Sequence, residues 1–398
     1  MLNTLLILAC AITFVSSVDE PIEDDDNLST MSLPADNAGT ASIGHPYTGK
    51  LRNGVRLPPS GPYHVAQRST RARNWLFGTG YLVRGIMVAA ESVARLHPRG
   101  EPLVVGNLSR REGGNIKLSM SHNSGRDVDF AYYTVDMAGK SVPSEYHRFG
   151  ADGISLDAPA KFKLDLARNW HLLKSLIEST QLEVQWIIVA PSIEKRLLGY
   201  AAAKGESKEL IDQAERMMML PNYAKTHDNH IHLRVQCSPD DWNNGCKIGG
   251  PVWPWNRQLH AALSNATRVV LPQLAAISPQ ARRRALRLIR KKQMGSAVTQ
   301  VASMLSDVEL SVRREALLTL IELSNEANAT TILEIARRQP ARIATKLITK
   351  ALPLAGSAGI QTAQELLNGS HPMLSKRNGV LRNRELRRRA KRILRKYN

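Results

Sequence analysis

Three of the chain's eleven histidines fall within six residues, His227-Asp228-Asn229-His230-Ile231-His232. On a β-strand, residues i and i+2 point to the same face. His230 and His232 can therefore approach one bound ion, or a water on it, while Ile231 and Leu233 pack on the other face. Imidazole suits zinc, which holds nitrogen ligands near about 2.0–2.1 Å and, in catalytic sites, keeps three protein ligands with one position open. A second source of ligands is needed. Ser121-His122-Asn123-Ser124-Gly125-Arg126-Asp127-Val128-Asp129 offers one. On a straight helix His122 and Asp129 would lie about 10 Å apart along the axis. They can share an ion if Gly125 lets the chain turn back and Asp129 sits on the strand that follows, where Val128, Phe130 and Tyr132 alternate. Asp127 shares a face with Asp129, and periodicity alone leaves it as a competing ligand.

The elements that must hold these residues are legible as patterns. Asn74 to His97 predicts a helix, with Leu76, Leu82, Ile86, Ala90 and Val93 on one face. Leu103-Val104-Val105 predicts a short buried strand. Leu166 to Ser179 predicts a helix whose Trp170 is spaced with Leu173 and Leu176 as core. Val184 to Val189 and His230 to Val235 predict strands, and Ser192 to Gly205 and Ser207 to Met218 predict helices. Helices mixed with few strands predict an α+β domain with a central antiparallel sheet. From Gln258 onward only helices of roughly 12–15 residues are expected. Asp307-Val308-Glu309-Leu310-Ser311-Val312-Arg313-Arg314-Glu315-Ala316-Leu317 resembles a HEAT-type repeat, and Ser278 to Leu286 is a looser copy. An all-α, HEAT-like domain of stacked helix pairs is the expectation.

Composition locates the charge. The 398 residues carry 54 Lys+Arg against 35 Asp+Glu, a net +19, with 43% hydrophobic residues and three cysteines. That excludes overall disorder, a small disulfide framework and a multi-span membrane protein. Residues 1–255 hold 27 basic and 27 acidic residues, whereas residues 256–398 hold 27 and 8, so the whole excess lies in the second region. Beyond Trp255 the only aromatic is Tyr397. Two domains follow, 61–255 and 256–398. Ahead of them, Leu2–Val15 matches a signal-peptide core and is shorter than the ~20 residues that span a bilayer. Residues 1–17 are expected to be that signal, cleaved after small residues. The lipoprotein-like Ile7-Leu8-Ala9-Cys10 is outweighed by the apolar run that continues past Cys10. Residues 18–60, with six acids between Asp19 and Asp26, are expected to be a solvated acidic and polar linker.

Ser121-His122-x-x-Gly125-x-x-x-Asp129, followed far downstream by His230-x-His232, resembles the zinc signature of the lysostaphin-type, D-Ala-D-Ala-type and hedgehog-like metallopeptidases. The flanks are more particularly similar to the penicillin-insensitive murein endopeptidases. These flanks are Asn74-Trp75, Gly113-Gly114, Arg168 to Lys174, Val184 to Val189 and His227-x-x-His230-x-His232. The resemblance covers about residues 60–250. It implies zinc ligands His122, Asp129 and His232, a catalytic His230 and a further active-site histidine, His227. It implies hydrolysis of peptidoglycan cross-links at the bond between D-Ala and a diamino acid, in the periplasm or cell envelope of an exporting cell. The family's pattern has one more histidine three residues before the first ligand, where this chain has Ser119. The alternative is a non-catalytic zinc-fold module that binds the wall. A nuclease using His and Asp rests only on the basic tail and on Asn123.

Cys237 and Cys246 enclose a short polar loop, and in an exported protein they are expected to form a disulfide. Arg126 and Arg168 could clamp a substrate carboxylate, with structural ion pairs the favoured reading. Two basic faces, Arg282–Lys292 and Arg387–Lys396, suggest retention on an anionic envelope polymer. Nucleic acid ranks last as their partner, because no aromatic accompanies the charges for stacking on bases.

Overall fold

The computed structural model describes residues 39–117, 119–219, 227–372 and 384–397. The expected signal peptide and the acidic run Asp19–Asp26 lie outside them. Six strands form the main sheet, in the order Met218–Met219, Val184–Ile188, His230–Val235, Asp127–Ala131, Leu103–Val105, His64–Ala66. The four inner strands pair antiparallel, as expected, and each edge strand runs parallel to its neighbour.

Alternation decides which face is core. Val128, Phe130 and Tyr132 and, on the partner strand, Ile231, Leu233 and Val235 are all fully buried. They share a core with the helices Gly80–Leu96 and Leu166–Ile177, including the expected Trp170. Each such side chain contributes about 1.5–3 kcal/mol by leaving water. A one-residue slip of either strand would exchange this face for the histidines and aspartates, so burial fixes the register.

Two expectations are corrected. The helix predicted from Asn74 starts at Gly80. Asn74 is left-handed at φ 51, and the following residues run extended, with Phe77–Gly78 paired to Val55–Arg56. The second correction concerns the expected linker 18–60. Residues 39–60 are folded, with Ala41–Ile43 and Lys50–Arg52 forming a hairpin. Leu51 and Leu57 are buried, so single apolar anchors suffice where no periodic pattern exists.

Beyond the sheet, helices stack in pairs. Pro279–Lys292 packs on Leu310–Glu322, Ala329–Arg337 on Ala341–Ala351, and Gly356–Asn368 on Arg384–Tyr397. Ion pairs tie them together: Arg282 to Asp307 at 2.8 Å, Arg287 and Arg290 to Glu315 at 3.0 and 2.8 Å, and Arg337 to Glu365 at 2.7 Å. Three of the seven cations of the first expected basic face, Arg282, Arg287 and Arg290, are thus engaged in joining helices, because the acids that meet them come from later segments. The second differs. Leu386 and Ala390 are buried, while Arg387, Arg388, Lys391 and Arg392 are exposed.

The helices are joined to the sheet domain by the loop that the Cys237–Cys246 disulfide closes. Both cysteines, Trp242 and Ile248 share a core with Leu259, Leu286 and Ile289 of the helical region. Trp242 Nε1 donates to Lys292 O at 2.7 Å, and the Lys292 ammonium lies 4.7 Å from the Trp242 ring centre. Replacing Trp242 by alanine should cost about 3–5 kcal/mol, read as a lowered denaturant midpoint. Unchanged stability would show that the joint is not integral.

Candidate metal centre

The register between His230–Val235 and Asp127–Ala131 sets His232 opposite Asp129 and Arg234 opposite Asp127. All four point away from the core. Asp129 Oδ1 lies 3.0 Å from His232 Nδ1 and 3.3 Å from His122 Nε2. His122, Asp129 and His232 each offer one ligand atom, all within 4.8 Å of one another, and all three residues are buried. Two nitrogens and one oxygen converging in this way could hold a metal ion. His122 tests the fit: both of its ring nitrogens are buried and neither makes a hydrogen bond among the described residues. An unsatisfied buried imidazole is costly, and a metal ion held by one of its nitrogens would reduce that cost.

Asp127 lies outside this group. Its Oδ1 accepts from His232 Nε2 at 2.9 Å and from Arg234 Nε at 2.8 Å. This fixes the ring of His232 with Nδ1 facing Asp129, the supporting role that carboxylates play behind metal-binding histidines. Burial opposes charge on Asp127, but Arg234 and His232 outweigh it and hold the carboxyl far below the usual range. Burial likewise opposes charge on Asp129, and His122 and His230 outweigh it. For His232, burial lowers the pKa, but the two carboxylates prevail and raise it to about 9. The same field that favours a positive imidazole would favour a divalent cation in place of the proton on Nδ1, the nitrogen that faces Asp129.

His122 reaches the group from a left-handed backbone, φ 72, which costs about 1–3 kcal/mol for a non-glycine residue and persists only where its surroundings enforce it. Here the next residue is held on three sides. Asn123 N donates to Pro46 O at 3.0 Å, Asn123 Nδ2 donates to Tyr47 O at 2.6 Å, and Gly114 N donates to Asn123 O at 2.9 Å. Gly113 has φ 75, and a Cβ there would fall 2.4 Å from Asn123 O. The Gly113-Gly114 pair and the 45–48 turn are therefore the cradle of the His122 loop. Gly125 supplies the expected turn, at φ 72.

His230 and His227 stand on the more open side. His230 is partly exposed, and its ring centre lies 4.9 Å from that of His227. Its Nδ1 is 2.7 Å from Asn229 Oδ1 and must donate to it, which leaves the lone pair on Nε2, 3.7 Å from Asp129 Oδ1. Burial pushes the pKa of His230 down to about 4, with His227, His232 and His122 adding to the effect against Asp129. The ring is neutral at pH 7. His227 is left-handed, φ 45, and its carbonyl accepts from Tyr132 Oη at 3.1 Å and Ala190 N at 3.1 Å.

Two neighbours were not foreseen. Tyr146 places a buried hydroxyl with no hydrogen bond beside the group. Its ring centre is 5.4 Å from that of His230, and its oxygen sits so close over Gly106 that a Cβ there would come within 1.7 Å. Burial raises the phenol pKa well above its ordinary value, and the Asp129 charge adds to this, so it remains a proton donor. Asn107 donates to Asp129 Oδ2 at 3.4 Å. Tyr146 lies in a loop without periodicity; only the small Gly106 after a buried strand hinted at a close approach. The two arginines are structural. Arg126 is fully buried on the carbonyls of Val235 and Lys247, at 2.9 Å each. Arg168 is buried over the Tyr133 ring and donates to Ser141 Oγ at 2.7 Å.

Asp127→Asn should weaken divalent-metal binding about 10–100-fold, measured by chelator competition on the purified protein, with far-ultraviolet circular dichroism confirming the fold. Unaltered affinity would remove Asp127 from any supporting role.

No curated protein matches the chain. Residues 42–255, more than half of it, match the family model described as penicillin-insensitive murein endopeptidase. The matched span takes in the hairpin beneath the His122 loop, the whole sheet and the disulfide loop, and it stops where the helical region begins. With the match so extended and the ligand group lying within it, the chain belongs to the penicillin-insensitive murein endopeptidase family, hydrolases of peptidoglycan.

Proposed function

We propose that this protein is an exported zinc endopeptidase that cuts the amide bond between D-Ala and the diamino acid of a neighbouring stem peptide. The observation that carries this reading is the buried convergence of His122, Asp129 and His232, with His230 and Tyr146 beside it. Two imidazoles and one carboxylate suit zinc. Zinc held there would supply an acidified water and a Lewis acid for the scissile carbonyl. The chain's own residues do the rest. His230 Nε2, with its lone pair free and Nδ1 tied to Asn229, takes a proton from water as the oxygen adds to the carbonyl carbon. The Tyr146 phenol, a donor without an acceptor among the described residues, gives its hydrogen bond to the carbonyl oxygen as that oxygen becomes negative. His230 returns the proton to the nitrogen as the C–N bond breaks, leaving a D-Ala carboxylate and a free amine. His227 lies against His230 and fixes that end of the site.

The Cys237–Cys246 disulfide supports export, since such bonds persist in oxidising compartments. No helix among the described residues is long and apolar enough to cross a membrane. The exposed cations of Arg384–Tyr397 support retention on an anionic envelope polymer, with nucleic acid the weaker candidate.

Mass analysis of cross-linked muropeptides incubated with the protein tests reaction and bond together. Dimers should gain one water and yield monomers, a chelator should stop this, and zinc should restore it. Dimers that persist with zinc present would overturn the reading and favour the non-catalytic wall-binding module. Tyr146→Phe should lower kcat about 10²–10³-fold with KM little changed, and His230→Ala about 10²–10⁴-fold. A Phe variant of full activity would exclude the phenol as oxyanion donor.

A further inference from the structure

A cleft of about 1000 Å³ separates the sheet domain from the helices. This is at the upper end for a small-molecule site, with room for a polymer segment. One wall is the turn His45–Thr48, the same turn whose carbonyls hold Asn123 next to His122. The cleft therefore shares one wall with the support of the His122 loop. The facing wall comes from the helix Arg257–Val270 and the loop around Asn325.

The chemistry of the lining is unlike that of its surroundings. The helical region carries the entire +19, yet among the described residues the only Lys or Arg lining the cleft is Lys350, with Glu322 and Glu326 in the same lining. Burial lowers the pKa of His45, and the nearby charges of Lys247, Arg126 and Arg234 lower it further, which disfavours a charged imidazole there. The rest of the lining mixes apolar side chains such as Ile248, Leu263 and Leu354 with uncharged hydrogen-bonding groups such as Thr48, Ser264 and Asn325, and Tyr47 adds a partly exposed ring. A polyanion would meet the carboxylates of Glu326 and of Glu322, the latter paired to Arg290 at 3.7 Å. A neutral polyhydroxylated chain with amide groups meets donors, acceptors and an aromatic edge.

We infer that this cleft binds the glycan strand of peptidoglycan, as an uncharged run of N-acetylated amino sugars, and so presents the attached stem peptide to the metal centre. The inference rests on the murein reading for the identity of its polymer. In intact murein the acidic group of the peptide-bearing sugar is capped by its amide to the stem peptide, so the backbone there is uncharged. The helical region then forms one wall of the substrate site.

The test is titration of the full chain with a β-1,4-linked tetramer of N-acetylglucosamine, by calorimetry or protein NMR, with no cleavage involved. Ser264→Trp, at an exposed position, should fill the cleft and weaken binding about tenfold or more, a difference of about 1.4 kcal/mol. His260→Ala, exposed one turn earlier, should weaken it by a smaller factor while leaving the fold untouched. Absence of binding by the parent chain, or equal binding by both variants, overturns the inference. So does displacement of the sugar by polyphosphate, which would make the cleft an anion site. Saccharide binding sensitive to Ser264→Trp, in a protein that leaves muropeptide dimers intact, would sustain the cleft and sink the peptidase reading.

Discussion

The contact between His232 and Asp129 across one antiparallel register is the constraint on which the site depends. It is set from the opposite face of the sheet. Val128 and Phe130, with Ile231 and Leu233, must be buried, so their alternating neighbours must point the other way. The hydrophobic effect has no direction of its own, but a pleated strand converts it into one. Once those residues are inside, His232, Asp129, Asp127 and Arg234 lie side by side. Asp127 then bridges the imidazole and the guanidinium, and Tyr47 Oη accepts from Arg234 at 3.2 Å. Two carboxylates and one arginine leave one buried negative charge unmatched, which the raised pKa of His232 shows can be met by a positive imidazole, or by a divalent cation in its place.

The third ligand has no such support from the sheet. His122 stands in a left-handed loop, and its position is imposed by backbone hydrogen bonds from the 45–48 turn and by the close approach of Gly113. Sequence reasoning assigned that turn to a linker. Hairpins of three-residue strands with one buried leucine carry no periodic signal, and their Gly, Pro and Asn content is equally that of a solvated segment. Their worth lies in long-range contacts to residues about 75 positions away, which no local window contains.

The same distinction explains what else was legible. Strand alternation and helix faces showed the sheet, the helices and the shared face of Asp127 and Asp129, because these are local consequences of burial. The ligand group could be narrowed to His122 and Asp129 only through the family resemblance, because periodicity treats both aspartates alike. Tyr146 and Asn107 were invisible, since a loop side chain acquires its role only when the chain folds over it. The arginine run Arg282–Arg290 was legible as charge but not as structure. Its acids, Asp307 and Glu315, arrive about one repeat later, and that pairing defines the stack.

The helical region is set rigidly against the catalytic half, not tethered to it. The strand that carries His230 and His232 runs directly into Gln236, whose amide donates to Pro251 O at 2.6 Å and to Asn256 Oδ1 at 3.1 Å. The next residue, Cys237, already belongs to the core shared with the helices. On the far side, Gln293 ends a helix in a left-handed turn, φ 54, and its side chain accepts from Ile248 N at 2.6 Å. A flexible appendage used only to hold the enzyme near a surface would need none of this. A fixed domain places its walls at defined positions relative to His122, so its net charge becomes less informative than the charge on each wall. The cations it presents outward on Arg384–Tyr397 and the groups it presents inward on the cleft are then separate surfaces of different chemistry.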